Sequence, residues 1–469
     1  MATSSGVEVC PKVPDAEWHR RYPLVDREYV WIYPLIRGDA FDPACIFEPM
    51  EVPRPSLDTA VYVHVPACLF HCPMCVFYKE VIGDAKDIEW YADSVIRELE
   101  LHMRAPGSRN LKLRTIYFGG GTATLLKASA IARIVEAIKG AMPGSREPEI
   151  TLEGHPVTVT EEYLNAVAEA GVNRVSFGAQ SFDSDALALL GMRQTPTDNR
   201  SAIAWALRAG ITAVSVDILY RLPRQTPEDV VEQLEVAFEL GVTSISTYSL
   251  EPSAQQGCIR DGQPSIDIDR AMFYAIHDEM ADRGWVHVAQ PDYAAPGFEN
   301  DELLVSWAAP QGQNLSLGAG AWGVFNGAVY CNVHDLQEYR RVVTSGCLPI
   351  LAGSKMTRED AETRYPVLGA RCFVVRGREF RECFGIDLTE RFHDEVELLQ
   401  QQGLVSVSGE DLVVTREGKY YVDNISKTFY APANRGHMQP WGLFYRGATA
   451  PAYFKPSGAS PAGVAASRA

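Results

Sequence analysis

The chain has no apolar run approaching the ~20 residues that a membrane span requires. Its first residues, MATSSGVEVCPKVPDAEW, hold no apolar core of the export-signal kind. It is also poor in positive charge: 43 Lys and Arg stand against 60 Asp and Glu, a formal net charge of −17. That balance argues against a nucleic-acid partner, whose phosphates need a cationic face. It equally disfavours docking on an anionic membrane. Without an export signal the expected compartment is the reducing cytoplasm, so the ten Cys are not expected to form disulfides. What remains is ordinary: 46% hydrophobic and 22% charged residues, as in a soluble globular protein. At 469 residues there is enough chain for a large barrel and appendages.

Residues 1–58 are rich in Pro and aromatics without clear periodicity and read as an extension that packs on, or lids, the rest of the chain. From Val61 onward short apolar runs alternate with amphipathic stretches. The strand-like runs are 60–65, 113–118, 149–154, 174–178, 213–219 and 244–250. Six strand–helix units predict a parallel sheet covered by helices, an α/β fold of the partial TIM-type (β/α)6 barrel kind, over residues 59–340. Active residues then belong at the carboxyl ends of the strands. Over 341–430 the pattern changes to short helices and a hairpin around Ser408-Gly409, a winged-helix-like module. Residues 431–469 form a tail whose Ala/Ser/Pro/Gly-rich end is expected to be partly disordered.

Directly after the first strand comes YVHVPACLFHCPMC, with Cys68, Cys72 and Cys75 spaced C-x3-C-x2-C. Three thiolates can hold three irons of a [4Fe–4S] cluster and leave the fourth open to a small molecule. Cys-rich spacings also bind zinc, and His64 and His71 lie near enough to supply a fourth ligand. Further polar residues fall at or near successive strand ends. Gly119, Gly120 and Gly121 permit close backbone approach and offer N–H groups as a nest for a polar group. Glu153 is suited to an ammonium group, Gln180 to a hydrogen bond, and Asp217 to a ribose diol. Singly each reads as a satisfied structural residue; their shared placement argues for a site.

The combination of YVHVPACLFHCPMCVF, YFGGGTATLL, GVNRVSFGAQSFD, VDILYRLPRQT and LSLGAGAWG resembles the radical S-adenosylmethionine (SAM) superfamily. Within it, the chain is similar to the oxygen-independent coproporphyrinogen III oxidase-like (HemN-type) branch and its class C methyltransferases. The likeness runs from about Ala60 to Ile425. It implies that Cys68, Cys72 and Cys75 ligate the cluster, with SAM on the open iron. It further implies that Tyr62 is an aromatic near that ligand, that Gly120, Gly121 and Thr122 contact the methionyl part, that Glu153 meets the amino group, and that Gln180 and Asp217 hold the ribose.

The chain also departs from that pattern. Phe77 stands where the true oxidases carry a further Cys, which disfavours porphyrinogen decarboxylation. Met192 replaces an Arg that contacts SAM, leaving neighbouring Arg193 to take over the contact or the contact to change. Arg221 and Arg224 add cations near the barrel mouth. The expectation placed first is therefore a methyl or methylene transferase using two SAM molecules on an sp2 carbon of a natural product or tetrapyrrole. It would need a small-molecule substrate and an electron donor such as flavodoxin or ferredoxin. The alternatives are a haem chaperone, with His155, His287 or His437 as axial ligand, and a coproporphyrinogen oxidase-like dehydrogenase.

Overall fold

The computed structural model describes residues 29–37, 41–48, 58–75, 77–144, 146–250, 262–308, 312–435 and 453–456. His437, the start of the chain and most of the tail lie outside them. The alternation becomes six parallel strands: β1 (Asp58–Val65), β2 (Lys112–Gly120), β3 (Glu149–Gly154), β4 (Arg174–Gln180), β5 (Ala213–Tyr220) and β6 (Ser244–Ser249). The helices between them are α1 (Tyr91–His102), α2 (Ala128–Ala141), α3 (Glu161–Glu169), α4 (Ser184–Leu189), α5 (Pro196–Arg208) and α6 (Pro227–Glu239), with α7 (Ile266–Asp282) after β6. Local chemistry sets several starts. Thr195 with Asp198 and Thr226 with Asp229 form reciprocal capping boxes, each with Pro at the first helical position.

The sheet is larger than the alternation predicts. Six further strands are β7 (Val286–Ala289), β8 (Asp292–Ala294), β9 (Gln313–Leu317), β10 (Trp322–Phe325), β11 (Ala328–Asn332) and β12 (Ile350–Lys355). The order is β12-β11-β10-β9-β1-β2-β3-β4-β5-β6-β8-β7. Strand β9 joins β1 in parallel, while β10–β12 and β8–β7 extend the two sides antiparallel. The sheet therefore curls without closing, and β12 and β7 are its edges.

Two large cores result from this shape. One fills the space between parallel strands and helices, with Val61, Phe118, Leu152, Val214 and Ile245 fully or almost fully buried. The other bridges the open side, joining Val288 and Ala289 of β7, Leu351 of β12, residues 30–36 and the C-terminal module. Of the N-terminal extension, described residues 30–36 pack on the rest of the chain: Tyr33 is fully buried and its hydroxyl meets Thr363 Oγ1 at 2.9 Å. The module has helices Gly377–Phe384 and His393–Gln401 and the antiparallel pair Val405–Ser408 with Asp411–Val414. No helix among the described residues is long and apolar enough to cross a membrane.

Candidate active site

A cavity of about 1040 Å³ opens where the parallel strands end and reaches into the barrel. Cys68, Cys72 and Cys75 all line it, as do Tyr62, Gly120, Gly121, Thr122, Glu153, Gln180 and Asp217. Residues far apart in sequence are thus brought to one space. Arg193 is not among its lining residues; Met192 is.

The cysteine loop leaves β1 and has little secondary structure of its own beyond a short parallel pairing of Ala67–Cys68 with Glu80–Val81. Cys68 is buried and its Sγ lies 3.4 Å from Thr122 Oγ1. The backbone N–H of Cys75 donates to the Cys72 carbonyl at 3.0 Å. Burial first, then the Cys75 and Cys68 thiols, push the Cys72 thiol up to about 11. Lys79 and Arg193 pull the other way without cancelling the rise, whereas a bound metal would hold the sulfur as a thiolate outright. Among the described residues, no three His, Cys, Asp or Glu converge as the ligands of a single ion must. The three thiols stand on one loop and line one cavity, a donor set that fits a [4Fe–4S] cluster with one iron left open.

The glycine-rich turn works differently from the nest expected of it. The Gly120 N–H donates to Glu153 Oε2 at 3.1 Å and the Gly121 N–H to the Val65 carbonyl at 2.8 Å. These donors serve the protein itself, because the β2 end is tied to β1 and β3. What the glycines contribute is approach. A Cβ on Gly121 would stand 2.7 Å from the Ala67 carbonyl oxygen and 3.0 Å from Cys68 Sγ. Gly120 adopts φ 113°, and a Cβ there would meet the His64 ring at 2.7 Å.

Glu153 accepts from the Tyr117 hydroxyl at 2.6 Å as well as from Gly120, and burial raises its pKa. A carboxylate has about four acceptor positions, so room for an ammonium partner remains. Tyr117 stacks on Tyr62 at 5.8 Å, and Tyr62 Oη lies 3.1 Å from His64 Nδ1. Gln180 ends β4 at φ 65° after a register shift. Asp217 sits three residues before the end of β5, bonded to Ser176 and Ser246. Burial, then Glu153 and Asp292, raise its pKa well above the usual range.

Sequence reasoning missed several lining groups. Asp292, on antiparallel β8, accepts from Ser246 Oγ at 2.6 Å and is pushed to about 6, chiefly by burial. Glu302, beside the π-helical turn Leu304–Ala308, is pushed to about 7 for the same reason. Both stand on segments outside the strand–helix alternation. Phe77, 52% exposed, gives the mouth an apolar wall where a fourth Cys would be. Arg221 turns to Asp269 at 3.9 Å and donates to the Leu250 carbonyl, and Arg224 is exposed; neither lines the cavity. Of the histidines considered as haem ligands, His155 lines the cavity. His287 does not; it stacks on Tyr293 at 3.9 Å inside the protein.

Comparison with known proteins gives the same picture. The radical SAM superfamily model matches residues 62–260, and the HemN C-terminal domain model matches residues 370–421, inside the winged-helix-like segment. An anaerobilin synthase from Escherichia coli O157:H7 is 28% identical over 378 residues, covering 78% of this chain and 82% of that protein. A heme chaperone HemW from Lactococcus lactis is 30% identical over 288 residues, 60% of this chain and 73% of its own. The solved structure of Escherichia coli coproporphyrinogen III oxidase (HemN) superposes with a TM-score of 0.72 at 22% identity, over 89% of this chain and 99% of that one, a likeness of fold. Cysteine loop, barrel and C-terminal module thus agree, and the chain belongs to the radical SAM superfamily, in the branch that unites coproporphyrinogen III oxidases with haem chaperones.

Proposed function

We propose that this protein is a radical SAM enzyme acting on a tetrapyrrole. The carrying observation is the single cavity that joins the cysteine triplet to the strand-end polar groups. Its volume of about 1040 Å³ lies at the top of the ~300–1,000 Å³ range of small-molecule sites. It thus has space for a large planar ligand beside SAM. The names of the relatives support that ligand class, since haem and coproporphyrinogen are both tetrapyrroles.

Cys68, Cys72 and Cys75 would hold a [4Fe–4S] cluster. When bound and reduced, that cluster supplies the electron that splits SAM into methionine and a 5′-deoxyadenosyl radical. The chain's own residues orient the cofactor. Tyr62, Gly120, Gly121 and Thr122 form the wall for the methionyl part, Glu153 receives the amino group, and Gln180 and Asp217 receive the ribose. Burial of these groups excludes water from the reacting carbon. An external one-electron donor of the flavodoxin or ferredoxin class is required, and the reducing cytoplasm is the fitting compartment.

Sequence reasoning placed methyl or methylene transfer first. None of the three relatives' names is that of a methyltransferase, so the tetrapyrrole reading takes precedence. Transfer with two SAM molecules is kept as the second reading because Phe77 leaves no further Cys for the oxidase pattern. The test is one anaerobic incubation of reconstituted protein with SAM, a strong reductant and haem or coproporphyrinogen. Consumption of the tetrapyrrole with release of 5′-deoxyadenosine is expected. Additional S-adenosylhomocysteine would establish transfer. Stoichiometric haem binding without deoxyadenosine would replace the enzyme with a chaperone, and His155→Ala would then be tested for loss of the haem spectrum.

A further inference from the structure

Arg193 neighbours the position where the family places a cofactor-binding arginine, yet it does not line the cavity, although its charge reaches the Cys72 thiol. It lies 4.6 Å from the centre of the Phe70 ring. Phe70 sits between Cys68 and Cys72, and its ring also meets His155 edge-on at 5.0 Å. Two more contacts join the same stretches. Gly191 comes so close to Pro73 that a Cβ would stand 2.9 Å from its Cγ. Met74 and Met192 pack together on a small separate core of Leu190, Leu219, Leu222 and Leu250. Residues 190–193 therefore grip the cysteine loop through a ring, a proline and an apolar seat.

We infer that Arg193 is a positioning residue that clamps the cluster-bearing loop through Phe70, and not a ligand of the SAM carboxylate. The physical need is plain. Two-residue strands hold the loop weakly, and loop ordering costs conformational entropy that outside contacts must offset. A planar guanidinium stacks on an aromatic face in a way an ammonium does not. Met192, taking the cavity-facing place, leaves the SAM carboxylate to other groups.

The inference rests on the assignment of the cluster to the three cysteines, and the experiment separates the two. The parent, Arg193→Ala, Arg193→Lys, Phe70→Leu and the Arg193→Ala/Phe70→Leu double variant are reconstituted anaerobically. Iron content, the rate of iron loss to a strong ferrous chelator, and SAM affinity by equilibrium dialysis are measured. Arg193 is exposed, so its variants should fold and load fully. Iron loss should be roughly two- to five-fold faster in Arg193→Ala and in Phe70→Leu. The double variant should be no faster than the singles, because both remove one contact. Arg193→Lys should not restore the parental rate, and SAM affinity should stay within about two-fold of the parent's. An unchanged rate of iron loss in Arg193→Ala would overturn the clamp. So would SAM binding weakened ten-fold or more without faster iron loss. A parent that takes up no iron would sink the cluster assignment, and the clamp with it.

Discussion

The mouth of the cavity and the seam on the open side of the barrel are held together by different means. At the mouth the backbone itself is unusual. Gln180, Arg221 and Arg224 carry φ of 65°, 65° and 67° at the ends of β4 and β5, and the glycine turn is pressed against the cysteine loop. Each left-handed non-glycine residue costs on the order of 1–3 kcal/mol, and such strain gathers where side chains must be aimed. At the seam Tyr33–Pro34 and Gln290–Pro291 are cis and Phe373 stands at φ 66°, but it is side chains that do the joining. Arg371 is fully buried, paired with Asp423 and stacked on Tyr29 at 3.9 Å and Trp307 at 4.9 Å. Trp31 meets Trp322 edge-on at 5.9 Å. Tyr29, Trp31, Trp307 and Asp423 of the seam also line the cavity, so the expected difference is one of degree: substitutions at the mouth should chiefly alter ligands held, and substitutions at the seam chiefly stability.

The sharpest way to break that distinction is Cys72→Ala. It should abolish the cluster's visible absorption and all SAM cleavage while leaving the thermal midpoint of the apoprotein almost unchanged. Retained iron and SAM cleavage would remove Cys72 from the ligand set. The seam counterpart is Asp423→Ala, which strands the buried Arg371 charge and also removes the acceptor of the Val30 N–H. A loss of about 3–5 kcal/mol is expected in denaturant titration. A near-neutral result would show that the seam is not where stability resides.

Asp217→Ala tests the mouth more finely. SAM affinity should fall about ten-fold, the equivalent of ~1.4 kcal/mol, with iron content intact. Unchanged affinity would place the ribose elsewhere. The smallest effect concerns pH. Glu302 and Asp292 have folded pKa values raised by burial to about 7 and about 6. A raised carboxyl pKa means that the folded state binds the proton more tightly than the unfolded one. Stability should therefore fall as pH rises from about 4.5 to 7, by on the order of 1 kcal/mol once solvent in the cavity has screened the charge. Glu302→Gln should flatten that slope, and an unaltered profile would mean that Glu302 is not the group responsible.

The parallel half of the fold was legible because its strands and helices differ in period and each unit ends in a turn signal. The six runs coincide with the observed β1–β6 to within two residues at either end. The antiparallel half was not, since β7, β8 and β10 have only three or four residues, too few to show alternation. A usable cue did exist in Asn326-Gly327, both at positive φ, the turn between β10 and β11. The same asymmetry governs the site. The cysteines, Glu153, Gln180 and Asp217 stand on the readable half, whereas Asp292 and Glu302 come from segments without periodic pattern. Arg193 could be placed near the mouth from sequence, but which way its side chain turns depends on Phe70, far earlier in the chain.

The hydrogen bonds that fasten residues 30–35 to the C-terminal module and the start of the tail join Val30 to Asp423 and Leu35 to Asn434, spans of 393 and 399 residues. Contacts so distant in sequence are the slowest to form and wait for nearly the whole polypeptide to emerge from synthesis. The cysteine loop and β1–β6 are finished by residue 249, long before residue 434 exists. The barrel therefore waits for this seal until residue 434 has been made.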